Sequence, residues 1–308
     1  MKSAGAYISS FIASILLIFS LIGSVGFIAA DKFLKEENLI ELTEEKEVSG
    51  LVYKELDKFF SEQYAVTGIP ANIYMDALDE EYLKKLINEK IKYGFMHLQN
   101  ADYLSPEFSN EKLETSITDF YKEYAKSIDY EIKNENDPYY AKLRATKENA
   151  YKIIWQYCDV YKFTSLKEHG VLGKISPLYT QLPTFKIICI GASAILALIL
   201  VLCNLKNTKD ALYWLGASAF SAGILAGVPC IYLINTDYFS AFTIKQSQIY
   251  TSYTSAMRSF TNSFLIFCCL LAALAVISFT SYGIISSLSG KNKKNQAIKQ
   301  NNKKFGTL

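Results

Sequence analysis

The chain has 308 residues, and its 32 Lys/Arg and 30 Asp/Glu almost cancel, leaving a formal net charge of +2. That balance lacks the basic excess of a nucleic-acid binder, and two histidines leave little material for a metal centre. Half of the residues are hydrophobic, and they are unevenly spread: the stretches 3–30, 187–205, 211–236 and 259–290 contain no charged residue.

About 20 mostly apolar residues cross a bilayer as a helix, so each stretch is read as a span. The first, bounded by Lys2 and Asp31, is read as an uncleaved signal anchor over 1–30. Lys2, the apolar run and Ala29–Ala30 also have the outline of a cleaved signal peptide. A signal's apolar core is about 7–15 residues, however, and Ile28 stands where a small residue is wanted.

Residues 31–184 differ sharply from the spans, with 20 Lys/Arg against 28 Asp/Glu, a net of −8. Their apolar residues recur with helical spacing. Val52, Leu56, Phe59 and Phe60 share a face of a helix expected to end near Tyr64, before Thr67–Gly68–Ile69–Pro70. Asp79 is a candidate cap for a second helix carrying Leu83, Leu86, Ile87, Ile91, Phe95 and Leu98, with Glu80 and Glu81 set against the positive end of its dipole. Ser105–Pro106 marks a turn, and Leu113, Ile117, Phe120, Tyr124 and Ile128 form a third stripe. Asp137–Pro138 joins a capping side chain to a proline at the first helical position. The helix it starts has an apolar face of Tyr140, Leu143, Tyr151, Ile154, Tyr157, Cys158 and Tyr161. Gly170, Gly173, Pro177 and Pro183 are expected to break the path into the second span. Four stripes and three breaks predict an antiparallel helical bundle. Cys158 is its one cysteine, so the bundle must fold on its hydrophobic core without an internal disulfide.

After the bundle, 185–205 is the second span, 206–210 a short turn, 211–236 the third span, 237–258 a loop and 259–290 the fourth span. Ala219, Gly223 and Gly227 place small residues four apart on the third span, the spacing that lets helices approach closely in lipid. Pro229 is expected to kink the end of that helix. Phe242, Ile249, Tyr253 and Phe260 leave the 237–258 segment open between a loop and a helix lying in the membrane interface. The tail 291–308 carries Lys291, Lys293, Lys294, Lys299, Lys303 and Lys304 and no acid. It is read either as a strip touching anionic lipid or as a solvated tail that enforces topology.

A catalytic constellation is not legible. His97 and His169 stand apart, Cys158 with His169 has nothing to orient it, and no P-loop, nucleophile elbow or dinucleotide fingerprint occurs. Glu44–Glu45 and Asp79–Glu80–Glu81 read as solvated or helix-start acids rather than cation sites. No Asp, Glu, Lys, Arg or His sits well inside a span, which argues against a transport path through a single copy.

Thr67–Gly68–Ile69–Pro70, with the helix expected over 79–98, resembles uncharacterised four-span membrane proteins of low-GC Gram-positive bacteria. That resemblance covers topology and one short motif and implies no functional residues. In outline, a bundle between two spans is similar to the sensor domain of bacterial chemoreceptors. Four spans with a large first loop are similar to the permeases that pair with a cytoplasmic ATPase.

The expectation is an all-α membrane protein with four transmembrane helices and an extracytoplasmic helical bundle between the first and second. The positive-inside bias puts the N-terminus, the 206–210 turn and the basic tail in the cytoplasm, and 31–184 and the 237–258 loop outside a cell membrane. The expected role is a non-enzymatic outer-face binding or interaction module, needing no cofactor or metal and contacting no nucleic acid. Its expected partners are the lipid bilayer and a protein or cell-envelope component. The alternative is a permease-like subunit of an ATPase-driven complex.

Overall fold

The computed structural model describes residues 4–100, 109–133 and 137–305, with the side chains of 5–100, 109–133, 137–205 and 207–288. All regular structure among them is helical. In chain order the helices are α1 (Ala4–Phe33), α2 (Glu36–Glu45), α3 (Val48–Thr67), α4 (Asn72–Met75), α5 (Glu80–Leu98), α6 (Glu111–Ser127), α7 (Pro138–Tyr157), α8 (Phe163–Glu168), α9 (Val171–Cys203), α10 (Thr208–Asn235) and α11 (Ser247–Phe305). The chain divides into two compact units. One, the apolar unit, comprises Met1–Phe33, Gln181–Tyr238 and Ser259–Leu308; the other, the polar unit, comprises Leu34–Thr180 and Phe239–Arg258.

The helix starts of the polar unit are local events. Asp79 Oδ1 accepts the Tyr82 N–H at 2.7 Å, and Asp137 Oδ1 accepts the Tyr139 N–H at 2.9 Å. Both satisfy donors that have no partner within the helix itself. Asn110 performs the same service for Leu113 at 3.0 Å, opening α6. Gly68, at φ +70°, closes α3 with its N–H on the Tyr64 carbonyl, a left-handed conformation that glycine adopts without steric cost. The Ser105–Pro106 turn lies outside the described residues.

From those starts the apolar stripes converge. Val52 and Leu56 of α3, Leu83, Ile87, Ile91 and Phe95 of α5, Leu113 and Ile117 of α6 and Ile154 of α7 are all buried. The α6 stripe stops early, because Tyr124 and Ile128 are exposed. Tyr140, placed on the α7 stripe by spacing, is exposed as well. Tyrosine hydroxyls stitch helices together: Tyr151 donates to Glu114 Oε1 at 2.7 Å, and Tyr121 meets Thr146 Oγ1 at 2.7 Å.

Two stretches depart from the periodicity reading. Only Gly170, at φ +68°, interrupts the path out of the polar unit; Gly173, Pro177 and Pro183 all lie inside α9. Each proline removes a single backbone donor, a local loss that a helix of 33 residues outlasts. The first turns are also held down, with Ser176 Oγ donating to the Leu98 carbonyl at 2.8 Å and Tyr179 edge-on to Phe95. The second is 247–258, part of the segment left open between a loop and an interface helix, and it is helical. It forms the opening of α11 and belongs to the polar unit, where Ile249 and Ala256 are buried and Tyr253 donates to the Tyr161 carbonyl at 2.7 Å.

Four helical segments, Gly5–Phe33, Val171–Cys203, Thr208–Asn235 and Ser247–Leu288, are long and apolar enough to cross a membrane, the pattern of a multi-pass membrane protein. Within the apolar unit, Val25, Ala222, Ala226, Cys268 and Leu271 form one core cluster, and Ala13, Leu17, Leu200 and Trp214 another. Serines fill the close approaches. Ser14 meets Ser218 at 2.7 Å, Ser20 meets Ser193 at 2.9 Å, and buried Asn204 donates to Ser10 at 2.9 Å. Lys186 of α9 forms an ion pair with Asp31 of α1.

Candidate functional site

The polar unit contains a cavity of about 370 Å³ with Lys90 in its lining. Lys90 sits on the inner stripe of α5, one turn after Leu86 and one turn before Gly94, and is only 3% exposed. Burial of an ammonium this deep opposes its charge. Its pKa is accordingly pushed from 10.5 down to about 8 by desolvation, against the partly compensating field of Asp159.

The surroundings of Lys90 are assembled by α8. A Cβ placed on Gly94 would come within 2.3 Å of Phe163 Cγ, so only glycine lets this ring lie across α5. Asp159 then fixes the start of α8 with both carboxylate oxygens, each accepting a backbone N–H at 2.8 Å, one from Phe163 and one from Thr164. With α8 so anchored, Thr164 Oγ1 accepts from Lys90 Nζ at 3.0 Å. From α7, the Trp155 ring lies under the same ammonium, 4.0 Å from centroid to nitrogen. This cation–π contact is strongest where water is excluded.

Lys152, Gln156, Lys162, Ser165, Glu168 and Gln246 add further polar groups to the lining. Lys162 adopts a left-handed conformation at φ +55°, and its own pKa is lowered by burial. The lining therefore offers three ammonium groups and two carboxylates, and Asp159 is already committed to the backbone. Chemically the cavity is a partly desolvated cationic recess with an aromatic floor, suited to holding an anion rather than a metal ion.

Beside it lie two of the residues weighed as catalytic candidates. Cys158 is fully buried, and desolvation drives its thiol pKa upward, away from the thiolate a nucleophile needs. His169 is exposed, with Nδ1 2.8 Å from the Ser165 carbonyl, and no hydrogen bond joins it to Cys158. His97 stacks edge-on against Tyr93, and its pKa is lowered by desolvation and then by Lys167. Glu44 pairs with Lys84 at 3.2 Å and Glu45 with Lys46 at 2.6 Å. Among the described residues, no three of His, Cys, Asp or Glu gather as a metal-binding group.

In the apolar unit, the small-residue face of α10 lies against α11. A Cβ on Gly223 would meet the Cys268 carbonyl at 3.3 Å, and one on Gly227 would meet Cys268 Cβ at 3.3 Å; Ala219 is buried. The lysines 291, 293, 294, 299, 303 and 304 fall on the last part of α11, and their side chains lie outside those described.

Lys90 was not singled out by periodicity, although one signal was legible. A lysine three residues after Ile87 and one before Ile91 falls on the apolar stripe of an amphipathic helix, where a charge requires a reason. Trp155, Asp159 and Thr164 become its neighbours only through tertiary packing. No family model, curated protein or solved structure matches this chain.

Proposed function

We propose that the chain is a membrane-anchored binding module whose polar unit lies outside the cell membrane and engages a ligand or partner. Its four apolar helices anchor that unit, and the module works without catalysing a reaction. The observation that carries the reading is the Lys90 cavity: a folded helical unit with its own core holds a cationic recess. Sidedness rests on charge. The acidic 31–184 segment contrasts with Lys206 and Lys209 in the 206–210 turn and with the six lysines of 291–308, and short basic segments are retained on the cytoplasmic side. The tail lysines suit contact with anionic lipid on that side.

The test is cysteine accessibility in intact cells. Lys122→Cys, on the exposed face of α6, is expected to react with a membrane-impermeant maleimide, and Lys209→Cys only after permeabilisation. The reverse pattern overturns the topology. Recovery of an ATPase in equal amount with the detergent-purified protein would replace the free-standing reading with that of a permease-like subunit.

A further inference from the structure

The cavity around Lys90 is lined by both a buried charge and open polar groups, and its contents follow from what the protein does not supply. Lys90 has three N–H donors and one oxygen acceptor among the described residues, Thr164 Oγ1 at 3.0 Å. Its other close contacts are ring faces, Trp155 at 4.0 Å and Tyr93 at 5.6 Å. Among the described residues no carboxylate forms an ion pair with it, and both oxygens of Asp159 accept backbone N–H groups. Buried ammonium groups ordinarily persist in proteins with a carboxylate partner, because solvation lost on burial must be replaced. A methionine would fill the same stem volume without that cost. At about 370 Å³ the recess falls within the size range of small-molecule sites, and Lys152 and Lys162 add positive charge to its lining.

We propose that this cavity binds a small organic anion, a carboxylate or a phosphate, whose charged oxygens complete the hydrogen bonding of Lys90 beside Thr164 and whose body lies in the recess lined by Trp155. Lys152 and Lys162 add positive potential, and Ser165 and Gln156 offer further hydrogen bonds. The proposal rests on the reading of the polar unit as a binding module but not on its sidedness. Binding is measured on purified protein, where topology plays no part, so the two fail separately.

The chain has two tryptophans, one in each unit, so Trp214→Phe leaves Trp155 as the sole indole reporter and places it at the cavity. The full chain in mild detergent is titrated with sodium phosphate and, separately, with sodium succinate, against sodium chloride at matched ionic strength. The expected result is a saturable change in Trp155 emission with phosphate or succinate and none with chloride. Lys90→Met is expected to weaken it at least tenfold and the surface variant Lys112→Met to leave it unchanged. The phosphate and succinate arms assign the headgroup chemistry. As a measurement independent of the Lys90 variant, the binding anion is expected to raise the melting midpoint of the Trp155 signal in proportion to its occupancy. Overturning results are a Trp155 response that is unsaturable or equal in chloride, a Lys90→Met protein that binds as tightly as the parent, or a melting midpoint unmoved by either anion.

Discussion

The two units solve the same packing problem with opposite materials. In the polar unit the largest fully buried side chains include Phe95, Leu83, Ile87 and Ile154, and Lys90 is the exception among its buried apolar neighbours on α5. In the apolar unit the buried set is rich in Ser10, Ser14, Ser218, Ala222 and Asn204, and Ile187, Ile195, Leu198 and Val276 are the exposed residues. Burying apolar surface drives helices together in water, but a lipid-facing helix gains nothing by hiding an isoleucine. Its association rests on close backbone approach and interhelical hydrogen bonds. The contrast teaches that burial alone does not mark importance here. A buried lysine in the polar unit is an expense, whereas a buried serine in the apolar unit is the adhesive.

The contrast can be broken experimentally, because Trp155 reports on one unit and Trp214 on the other. The largest effect is expected from Leu83→Ala or Ile154→Ala, which remove a fully buried side chain and are expected to cost about 3 kcal/mol of polar-unit stability. Ile195→Ala, on the exposed face of α9, is expected to stay within about 0.5 kcal/mol. Thermal unfolding followed through each tryptophan separates the two, and equal costs would dissolve the distinction.

Gly94→Ala comes next. The added Cβ collides with the Phe163 ring and is expected to destabilise the polar unit by about 2 kcal/mol. Phe163→Ala in the same chain should recover part of that loss, and a Gly94→Ala protein melting like the parent would mean that α8 does not lie across α5. In the apolar unit, Ser218→Ala removes the hydrogen bond to Ser14 and is expected to cost about 0.6 kcal/mol, read through Trp214.

Smaller and opposite in sign is Gln248→Leu. Both polar atoms of the Gln248 side chain are buried without a hydrogen-bond partner among the described residues, so an apolar replacement is expected to stabilise the polar unit by roughly 0.5 kcal/mol. A lower melting midpoint would show that the amide is satisfied in solution.

The final test follows the charge of Lys90. Its pKa in the folded chain is lowered to about 8 from an ordinary 10.5, chiefly by burial. The fields of Asp159, Cys158 and Glu168 favour its charge, and that of Lys162 opposes it. Below pH 8 the folded protein bears the full cost of the buried ammonium. Between pH 8 and 10.5 the folded state sheds the proton while the unfolded chain keeps it, so stability rises with pH across that window. Relative to Lys90→Met, the parent is therefore expected to gain stability from pH 8 to 10.5, and anion binding is expected to weaken over the same range. A flat difference between the two proteins would show that Lys90 titrates as an exposed lysine.

Much of this architecture follows from the chain taken alone, for a physical reason. Spans are legible because transfer into lipid depends on composition over some twenty residues, a purely local sum. The caps at Asp79 and Asp137 are legible because their partners, Tyr82 and Tyr139, lie within one turn. Amphipathic stripes show the inner face of a helix but not where it runs out of neighbours, which is why Tyr124, Ile128 and Tyr140 are exposed. Pro177 and Pro183 signalled breaks that α9 does not make, because propensity describes an isolated segment and not one held by Ser176 and Tyr179. The cavity belongs wholly to the tertiary structure. Lys90, Trp155, Asp159 and Thr164 come from α5, α7, the turn before α8 and α8 itself, and only the seating of Phe163 on Gly94 brings their charges and rings together.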